Sequence, residues 1–222
     1  MPTARPSPSA RRRGRRTKRG LSHEHWLLIL GAAILVAIVS GSITRLPWPS
    51  DSKPKSSRTL SMAEARASNA RVPIIARDRK PAEAFEFRGG EAAREQAVEC
   101  LATVALYEAG TDREGQRAVI QVVLNRVRAR GFPKTVCGVV YQGSGRTTGC
   151  QFSFTCDGSL QRRPEHLGWD QARRAARRAL DGHVYAAVGR ATHYHTDWMV
   201  PYWRPSLEKI GQVNAHIFYQ RR

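Results

Sequence analysis

Glu108 is the acidic residue of this sequence whose position best suits it for proton transfer. Leu101, Val104 and Ala105 recur at helical spacing before it, and Glu108 follows Leu101 by seven residues and Val104 by four. Its carboxyl group is therefore expected on the apolar face of a helix. Gly110 is a typical stop signal, which places Glu108 in the last turn of that helix.

Two effects are expected to raise the pKa of Glu108. Burial disfavours the carboxylate, and the negative end of the helix dipole disfavours it further. A glutamic acid that stays protonated near neutral pH can act as a general acid. From spacing alone, an ion pair between Glu108 and Arg113 or Arg117 accounts for the same position equally well.

A second helix is predicted directly after this corner. Thr111 and Glu114 form a capping-box pattern, and Gly131 and Pro133 end the helical stretch. Its apolar face consists of Val119, Ile120, Val122, Val123, Leu124 and Val127. The short connection predicts an antiparallel helix pair with Glu108 at the corner.

The remainder of this domain is predicted to contain loops, short strands and a third helix. Residues 135–158 are rich in Gly, Thr and Ser, and the alternating QFSFT within them indicates a strand. Trp169 to Leu180 is predicted as a helix with its alanines inward and four arginines outward, namely Arg173, Arg174, Arg177 and Arg178. These arginines form a solvated face or, alternatively, bind a polyanion. ATHYH and HIFYQ are predicted as strands or a structured loop lining a groove.

The four cysteines are expected to form disulfides because all of them follow the apolar N-terminal segment. Three pairings are possible. We expect Cys150 to pair with Cys156, closing a small loop, and Cys100 with Cys137, tying the Glu108 helix to the loop region. Zinc binding is the alternative, but the spacings contain no C-x-x-C motif.

The N-terminal part of the chain has the pattern of a membrane anchor. Residues 1–25 form a basic tail with eight Lys and Arg against one Glu, and the 19 residues Trp26 to Thr44 carry no charge. We therefore predict a basic cytoplasmic tail at 1–25, a transmembrane anchor at 26–45, a flexible Pro/Ser/Arg-rich linker at 46–90 and a catalytic domain at 91–222. A cleaved signal peptide is the alternative, because the small residues at 40–42 are typical of a cleavage site.

The charge distribution predicts where each part of the chain lies. Basic residues are in excess before the apolar segment, so the N-terminus should remain in the cytoplasm. The protein is then a single-pass protein of the inner (cytoplasmic) membrane, with its catalytic domain in the periplasm or another extracytoplasmic space. The net charge of +19 favours polyanionic surroundings such as an acidic cell envelope. No nucleic-acid partner is predicted, and the oligomeric state is left open.

Several segments between Cys100 and Gln220 together resemble a known family. They are CLATVALYEAGTDREGQRAVIQVVLNRV, GFPKTVCGVVYQ, CQFSFTCDG, ATHYH and IGQVNAHIFYQ. In this order they resemble the SleB-like cell wall hydrolases of the spore cortex-lytic enzyme type. The resemblance implies cleavage of peptidoglycan glycan strands and an α+β fold, with a mainly α-helical lysozyme-like lobe and a small β lobe. It also implies that Glu108 is the catalytic residue.

A single carboxylate is sufficient for one way of cutting glycan strands. Ordinary glycosidases need two carboxylates, and neither Asp112, Glu114 nor Asp157 is a convincing partner for Glu108. In a lytic transglycosylase, Glu108 protonates the glycosidic oxygen between N-acetylmuramic acid and N-acetylglucosamine. The carboxylate then takes the proton of the muramic O6 hydroxyl, which attacks C1 internally. The predicted sugar-binding residues are Tyr141, Gln142, Gln151, Phe152, Ser153, His193, Tyr194 and His195.

Two rival functions belong to other classes. His193, His195 and His216 could bind a metal ion in a peptidoglycan amidase or peptidase, a mechanism that a chelator would stop. Alternatively, the arginine-rich helix and the basic tail belong to a non-enzymatic envelope-binding protein. The leading interpretation is the membrane-tethered glycan-cleaving enzyme, which requires no metal ion or other cofactor.

Overall fold

The computed structural model of the chain describes residues 23–28, 30–32, 35, 59–161 and 168–222. These fall into two compact units, residues 1–58 and residues 59–222. Within the described residues, no helix combines the length and the hydropathy that a membrane crossing needs. Most of the predicted tail and anchor, and the first part of the predicted linker, lie outside the described residues.

The second unit is α+β, as predicted, with helices that precede a small sheet. Helix α1 begins with a capping box in which Ser61 and Glu64 bond one another's backbone N–H groups. Short 3₁₀ turns occur between the longer elements. The helices are α1 Met62–Ala70, α2 Glu91–Ala109, α3 Arg113–Arg128, α4 Val136–Val140 and α5 Trp169–Leu180.

The corner between α2 and α3 is built by Gly110 and Asp112. Gly110 has φ +52° and donates its N–H to the Leu106 carbonyl, so α2 ends where the sequence predicted. The predicted capping box of Thr111 and Glu114 is wrong, because Asp112 is the N-cap and its side chain accepts from the Glu114 N–H. Asp112 lies one residue closer to the first turn of α3 than Thr111. Its negative carboxylate also interacts favourably with the positive end of the α3 helix dipole.

Helix α3 lies between two hydrophobic clusters. Its residues Val119, Val123 and Val127 pack with α2, α4 and α5 in the larger cluster. Ala118 and Val122 pack instead into a smaller cluster that includes sheet residues. Because both sides of α3 are covered, even polar side chains along it are buried, including Gln116, Gln121, Asn125 and Arg126.

The sheet has three antiparallel strands in the order β1-β3-β2. They are β1 His193–Thr196, β2 Glu208–Val213 and β3 His216–Gln220. ATHYH and HIFYQ therefore contain strands, as predicted. The strand predicted at QFSFT is wrong, because Ser153–Thr155 forms a 3₁₀ turn. This turn lets both Phe152 and Phe154 enter the core with 3 % exposure each, whereas alternation would have left one outside.

Part of the predicted linker packs on the folded unit. The Asn69 side chain donates to the carbonyls of Asp197 and Met199, and Lys209 Nζ donates to the Asn69 and Val72 carbonyls. The compact unit begins at Thr59, so we count residues 59–90 with the catalytic domain. Within this segment, Ala76–Asp78 forms a 3₁₀ turn.

Both expected disulfides are present. Cys100–Cys137 joins α2 to α4, and Cys150–Cys156 closes a small loop that contains the Ser153–Thr155 turn. No cysteine of the described residues is left unpaired. The first bond encloses the α2–α3 corner within its 37-residue separation, so it fixes the frame around Glu108.

Candidate active site

Glu108 and Tyr194 form the centre of the site. Glu108 is half-buried in the last turn of α2, and the Tyr194 hydroxyl donates a 2.8 Å hydrogen bond to its Oε2. Tyr194 lies on β1, so the contact joins the helical part of the domain to the sheet. The alternative pairing of Glu108 with Arg113 or Arg117 is wrong, because Arg113 donates to Gln171 and Arg117 pairs with Glu114.

A buried arginine lies behind this pair. Arg126 is 4 % exposed, and its guanidinium carbon is 6.0 Å from the ring centre of Tyr194 and 5.2 Å from that of Phe152. Its Nε donates to the Thr192 carbonyl, while Nη1 is buried without a partner among the described residues. A positive charge is therefore held close to Glu108 in a region with little water.

The polar face of α3 positions the chain that leads into β1. Gln121 accepts from the Tyr185 N–H, and Asn125 donates to the carbonyls of Gly189 and Ala191. Arg126 adds the bond to Thr192. Each of these contacts satisfies a backbone group that the core would otherwise leave unpaired. Together they fix the approach of β1, so that Tyr194 reaches the end of α2.

The site favours a neutral Glu108 but can accommodate its anion. Burial raises the pKa of the Glu108 carboxyl, as expected from its position on the apolar face of α2. The hydrogen bond from Tyr194 and the charge of Arg126 act in the opposite direction and limit this rise in the pKa. The same carboxyl group can therefore give up a proton and then take one back, which a residue serving as acid and base must do.

The other acidic residues considered as partners have structural roles. Asp112 caps α3 and accepts from the Asn214 side chain at the β2–β3 turn. Glu114 pairs with Arg117, and the pKa of the Glu114 carboxyl is lowered, chiefly by a hydrogen bond from Tyr185. Asp157 is exposed and accepts from the Ser159 N–H. None of these contacts gives Glu108 a second carboxylate partner.

The strand register separates the three histidines that were considered as metal ligands. His193 and His195 share one face of β1, whereas His216 pairs with Thr196 and so shares the Tyr194 face. Within residues 59–161 and 168–222, the structure contains no group of His, Cys, Asp and Glu arranged for a metal ion. The predicted triad is therefore not assembled.

The histidines instead support the aromatic side chains of the sheet. His195 is buried, with its Nδ1 next to the Thr196 carbonyl and its Nε2 2.9 Å from the Tyr219 hydroxyl. His216 packs its ring edge-on to Tyr194 at 5.4 Å. Burial and the charge of Arg126 lower the pKa of His193 to about 4, so this half-buried ring is neutral at pH 7. His195 is thus a structural residue rather than the predicted sugar-binding one.

The remaining predicted sugar-binding residues occupy the loop between α4 and α5. Tyr141, Gln142 and Gln151 are half-buried, and the Gln151 N–H donates to the Gln142 carbonyl. Ser153 is exposed. Phe152 is a core residue against Arg126, so the sugar-binding role predicted for it is replaced by a packing role. Only Tyr194 among the predicted binding residues is hydrogen-bonded to Glu108.

Arg126 is a residue of the candidate site that was not predicted from the sequence. It follows Val122 by four residues and Val119 by seven, so it lies on the apolar face of α3. An arginine in that position is rarely buried without a charged partner. The spacing of Arg126 from Val119 and Val122 could have identified it from the sequence, just as the spacing from Leu101 identified Glu108.

Comparison with known families was consistent with this arrangement. Residues 110–219 match the family model described as Cell Wall Hydrolase. The chain carries a cell wall hydrolase domain. The resemblance to SleB-like enzymes is thereby confirmed, and the match includes Arg126 and Tyr194. It begins two residues after Glu108, so the assignment of that residue rests on the geometry described above.

Curated relatives of this cell wall hydrolase domain are spore cortex-lytic enzymes. That of Oceanobacillus iheyensis is 32% identical over 123 residues, which cover 54% of this chain and 40% of the relative. That of Bacillus cereus is 33% identical over 108 residues, which cover 47% and 36%, respectively. The chain thus spans less than half the length of these relatives.

Two solved structures are also similar. The catalytic domain of the Bacillus cereus SleB protein has a TM-score of 0.47 and 25% identity, covering 61% of this chain and 95% of that one. The catalytic domain of the germination-specific lytic transglycosylase SleB from Bacillus anthracis has a TM-score of 0.46 and 25% identity, with 60% and 100% covered.

Proposed function

We propose that this protein cleaves peptidoglycan glycan strands at the bond between N-acetylmuramic acid and N-acetylglucosamine. The observation that carries the proposal is the half-buried Glu108, whose pKa is raised and whose Oε2 accepts from Tyr194. The cell wall hydrolase domain and the cortex-lytic relatives support peptidoglycan as the substrate. The resemblance implies a lysozyme-like helical lobe beside a small β lobe. Glu108 suits that arrangement because it lies in helix α2 and is hydrogen-bonded to Tyr194 of strand β1.

The proposed mechanism uses Glu108 twice. The protonated carboxyl group gives its proton to the glycosidic oxygen, and the bond from that oxygen to C1 of the muramic residue breaks. The resulting carboxylate is stabilised by the Tyr194 hydroxyl and the Arg126 charge. It then removes the proton of the muramic O6 hydroxyl as that oxygen bonds to C1. Glu108 is protonated again, and the product ends in a 1,6-anhydro ring.

Internal attack accounts for a site with one acidic group at its centre. A hydroxyl group of the same sugar has a high effective concentration at C1, so no second carboxylate is needed to activate water. Asp112 and Glu114 are already engaged in capping and pairing. The proposal therefore favours lytic transglycosylation over hydrolysis.

Release of soluble glycan fragments from purified peptidoglycan tests the role of Glu108. Glu108→Gln keeps the side-chain shape but cannot donate the acidic proton, so release should fall by about a thousandfold or more. Glu114→Gln is the matched control, since Glu114 is exposed and lies at the start of the next helix. It should retain activity within about twofold. Comparable activity in Glu108→Gln and wild type would refute the assignment.

We also propose that residues 26–44 tether the enzyme to the cytoplasmic membrane, with the catalytic domain outside the cytoplasm. The uncharged segment and the basic residues before it support this topology. Protease added to intact spheroplasts should digest the catalytic domain and spare a membrane-bound N-terminal fragment. A protein that fractionates without the membrane, or one that is protected from the protease, would contradict the tether.

A further inference from the structure

A basic cavity of about 500 Å³ lies between α3 and α5. Two arginines of α3, Arg113 and Arg117, line it together with two of α5, Arg174 and Arg178. Glu114 is the acidic residue in its lining. The cavity contains none of the residues to which we assign roles in glycan cleavage.

The four outward arginines of α5 fall into two pairs that differ in their contacts. Arg173 forms two hydrogen bonds with Glu99, and Arg177 pairs with Glu95, so both are neutralised by α2. Arg174 and Arg178 line the cavity instead, and neither forms an ion pair with residues 59–161 or 168–222. Arg174, Arg177 and Arg178 are exposed and Arg173 is half-buried, so the solvated face predicted from the sequence is confirmed.

The α3 arginines are held in place without being neutralised completely. Arg113 Nε donates to the uncharged Gln171 side chain at 2.8 Å. Arg117 shares its charge with Glu114, and its guanidinium lies 4.6 Å from the ring centre of Tyr185. These contacts order both guanidinium groups while leaving several N–H donors of Arg113 available to a ligand.

Two pairs of like charges line the cavity. Arg113 and Arg117 are four residues apart on one helix, and so are Arg174 and Arg178 on the other. Like charges at this spacing repel one another along a helix. One carboxylate, that of Glu114, faces the four guanidinium groups. The charge that remains is larger than a single carboxylate ligand would neutralise.

We propose that this cavity binds phosphate groups, either of a small phosphate anion or of a phosphodiester polymer. Guanidinium groups bind phosphate oxygens through paired N–H donors, and a free phosphate anion, or several phosphodiester groups together, carries more charge than one carboxylate. Arg174 and Arg178, on successive turns of α5, supply two such forks on one side of the cavity. Arg113 supplies donors from the other side. The proposal does not depend on the glycan-cleaving function.

Isothermal titration of the full chain with inorganic pyrophosphate tests this site. The double variant Arg174→Gln with Arg178→Gln should weaken the affinity at least tenfold. The matched control is Arg173→Gln with Arg177→Gln, which removes the same charge from the same helix but leaves the cavity intact. Its affinity should remain within about twofold of wild type. Equal weakening in both double variants would overturn the proposal.

Thermal unfolding separates a lost site from a lost fold. Without ligand, the variant Arg174→Gln with Arg178→Gln should melt at or above the wild-type temperature. It removes the repulsion between these two arginines and breaks no ion pair among the described residues. The control should melt lower, because it loses the ion pairs to Glu99 and Glu95.

An oligomer of glycerol phosphate distinguishes the two sources of phosphate groups. Tighter binding of the oligomer than of pyrophosphate identifies a polymer ligand, and tighter binding of pyrophosphate identifies a small anion. Failure of both probes would refute the site.

Discussion

The Tyr194 hydroxyl lies 2.8 Å from Oε2 of Glu108, joining residues that are 86 positions apart in the sequence. The bond connects the last turn of α2 to β1, and Arg126 lies behind both side chains. Burial raises the pKa of the Glu108 carboxyl group, whereas the hydroxyl and the guanidinium lower it. The balance between these effects determines how Glu108 responds to pH.

Tyr194→Phe should shift the pH profile of glycan cleavage. In the proposed mechanism activity requires protonated Glu108, so it should fall as the pH rises through the pKa of that residue. Removing a hydrogen bond that favours the anion raises the pKa, so the alkaline limb should move up by about one pH unit. The rate at the optimum should fall about tenfold, because the carboxylate of the second step loses a donor. A limb that moves down or stays in place would argue against this role.

Arg126→Met should shift the same limb in the same direction. Methionine fills a similar volume but removes the charge that lowers the pKa of Glu108. Arg126→Lys retains the charge and should bring the limb back towards its wild-type position. Arg130→Met, an exposed arginine just beyond α3, is the control and should leave the profile unchanged. Identical profiles for Arg126→Met and Arg126→Lys would show that the residue acts through packing alone.

The two disulfides should contribute unequally to stability. Replacing both Cys100 and Cys137 by serine should lower the free energy of unfolding by about 4 kcal/mol, because a bond across many residues restricts the unfolded chain most. Replacing Cys150 and Cys156 should cost about 2 kcal/mol. Urea unfolding under non-reducing conditions measures both changes. A larger loss from the Cys150–Cys156 pair would contradict this ranking.

Glycan cleavage should be insensitive to chelators. His193 and His195 lie on one face of β1 and His216 on the other, so these three side chains cannot converge on one ion. Activity measured after incubation with EDTA and dialysis should equal that of the untreated protein. Loss of activity that added Zn²⁺ restores would revive the metal-dependent amidase or peptidase.

Local sequence signals predicted α2, α3 and α5 and the position of Glu108, but not the short helix α4, which lies in a stretch predicted as loops and short strands. The apolar spacing before Glu108 and the stop at Gly110 involve neighbours within two turns, and the structure places α2 accordingly. The alanine face of α5 predicted that helix from Trp169 to Leu180. Periodicity is informative for these elements because each buries one face against the same core.

The remaining features depend on contacts between distant parts of the chain. Tyr194 was one of several candidates for sugar binding, and only the register of β1 with β3 brings its hydroxyl to Glu108. Phe152 looked like one side of a strand, but a tight turn buries it together with Phe154. The packing of residues 59–90 was missed because their composition resembles a linker, while their hydrogen bonds go to residues near the C-terminus.

The mass of the muramic acid end groups tests the central claim most directly. Wild-type protein should be incubated with purified peptidoglycan, and the soluble fragments analysed by mass spectrometry. If Glu108 acts alone as acid and then base, the fragments should end in 1,6-anhydro residues, lighter by one water molecule than hydrolytic products, and Glu108→Gln should release none. Hydrated reducing ends from wild-type protein would contradict the single-carboxylate mechanism.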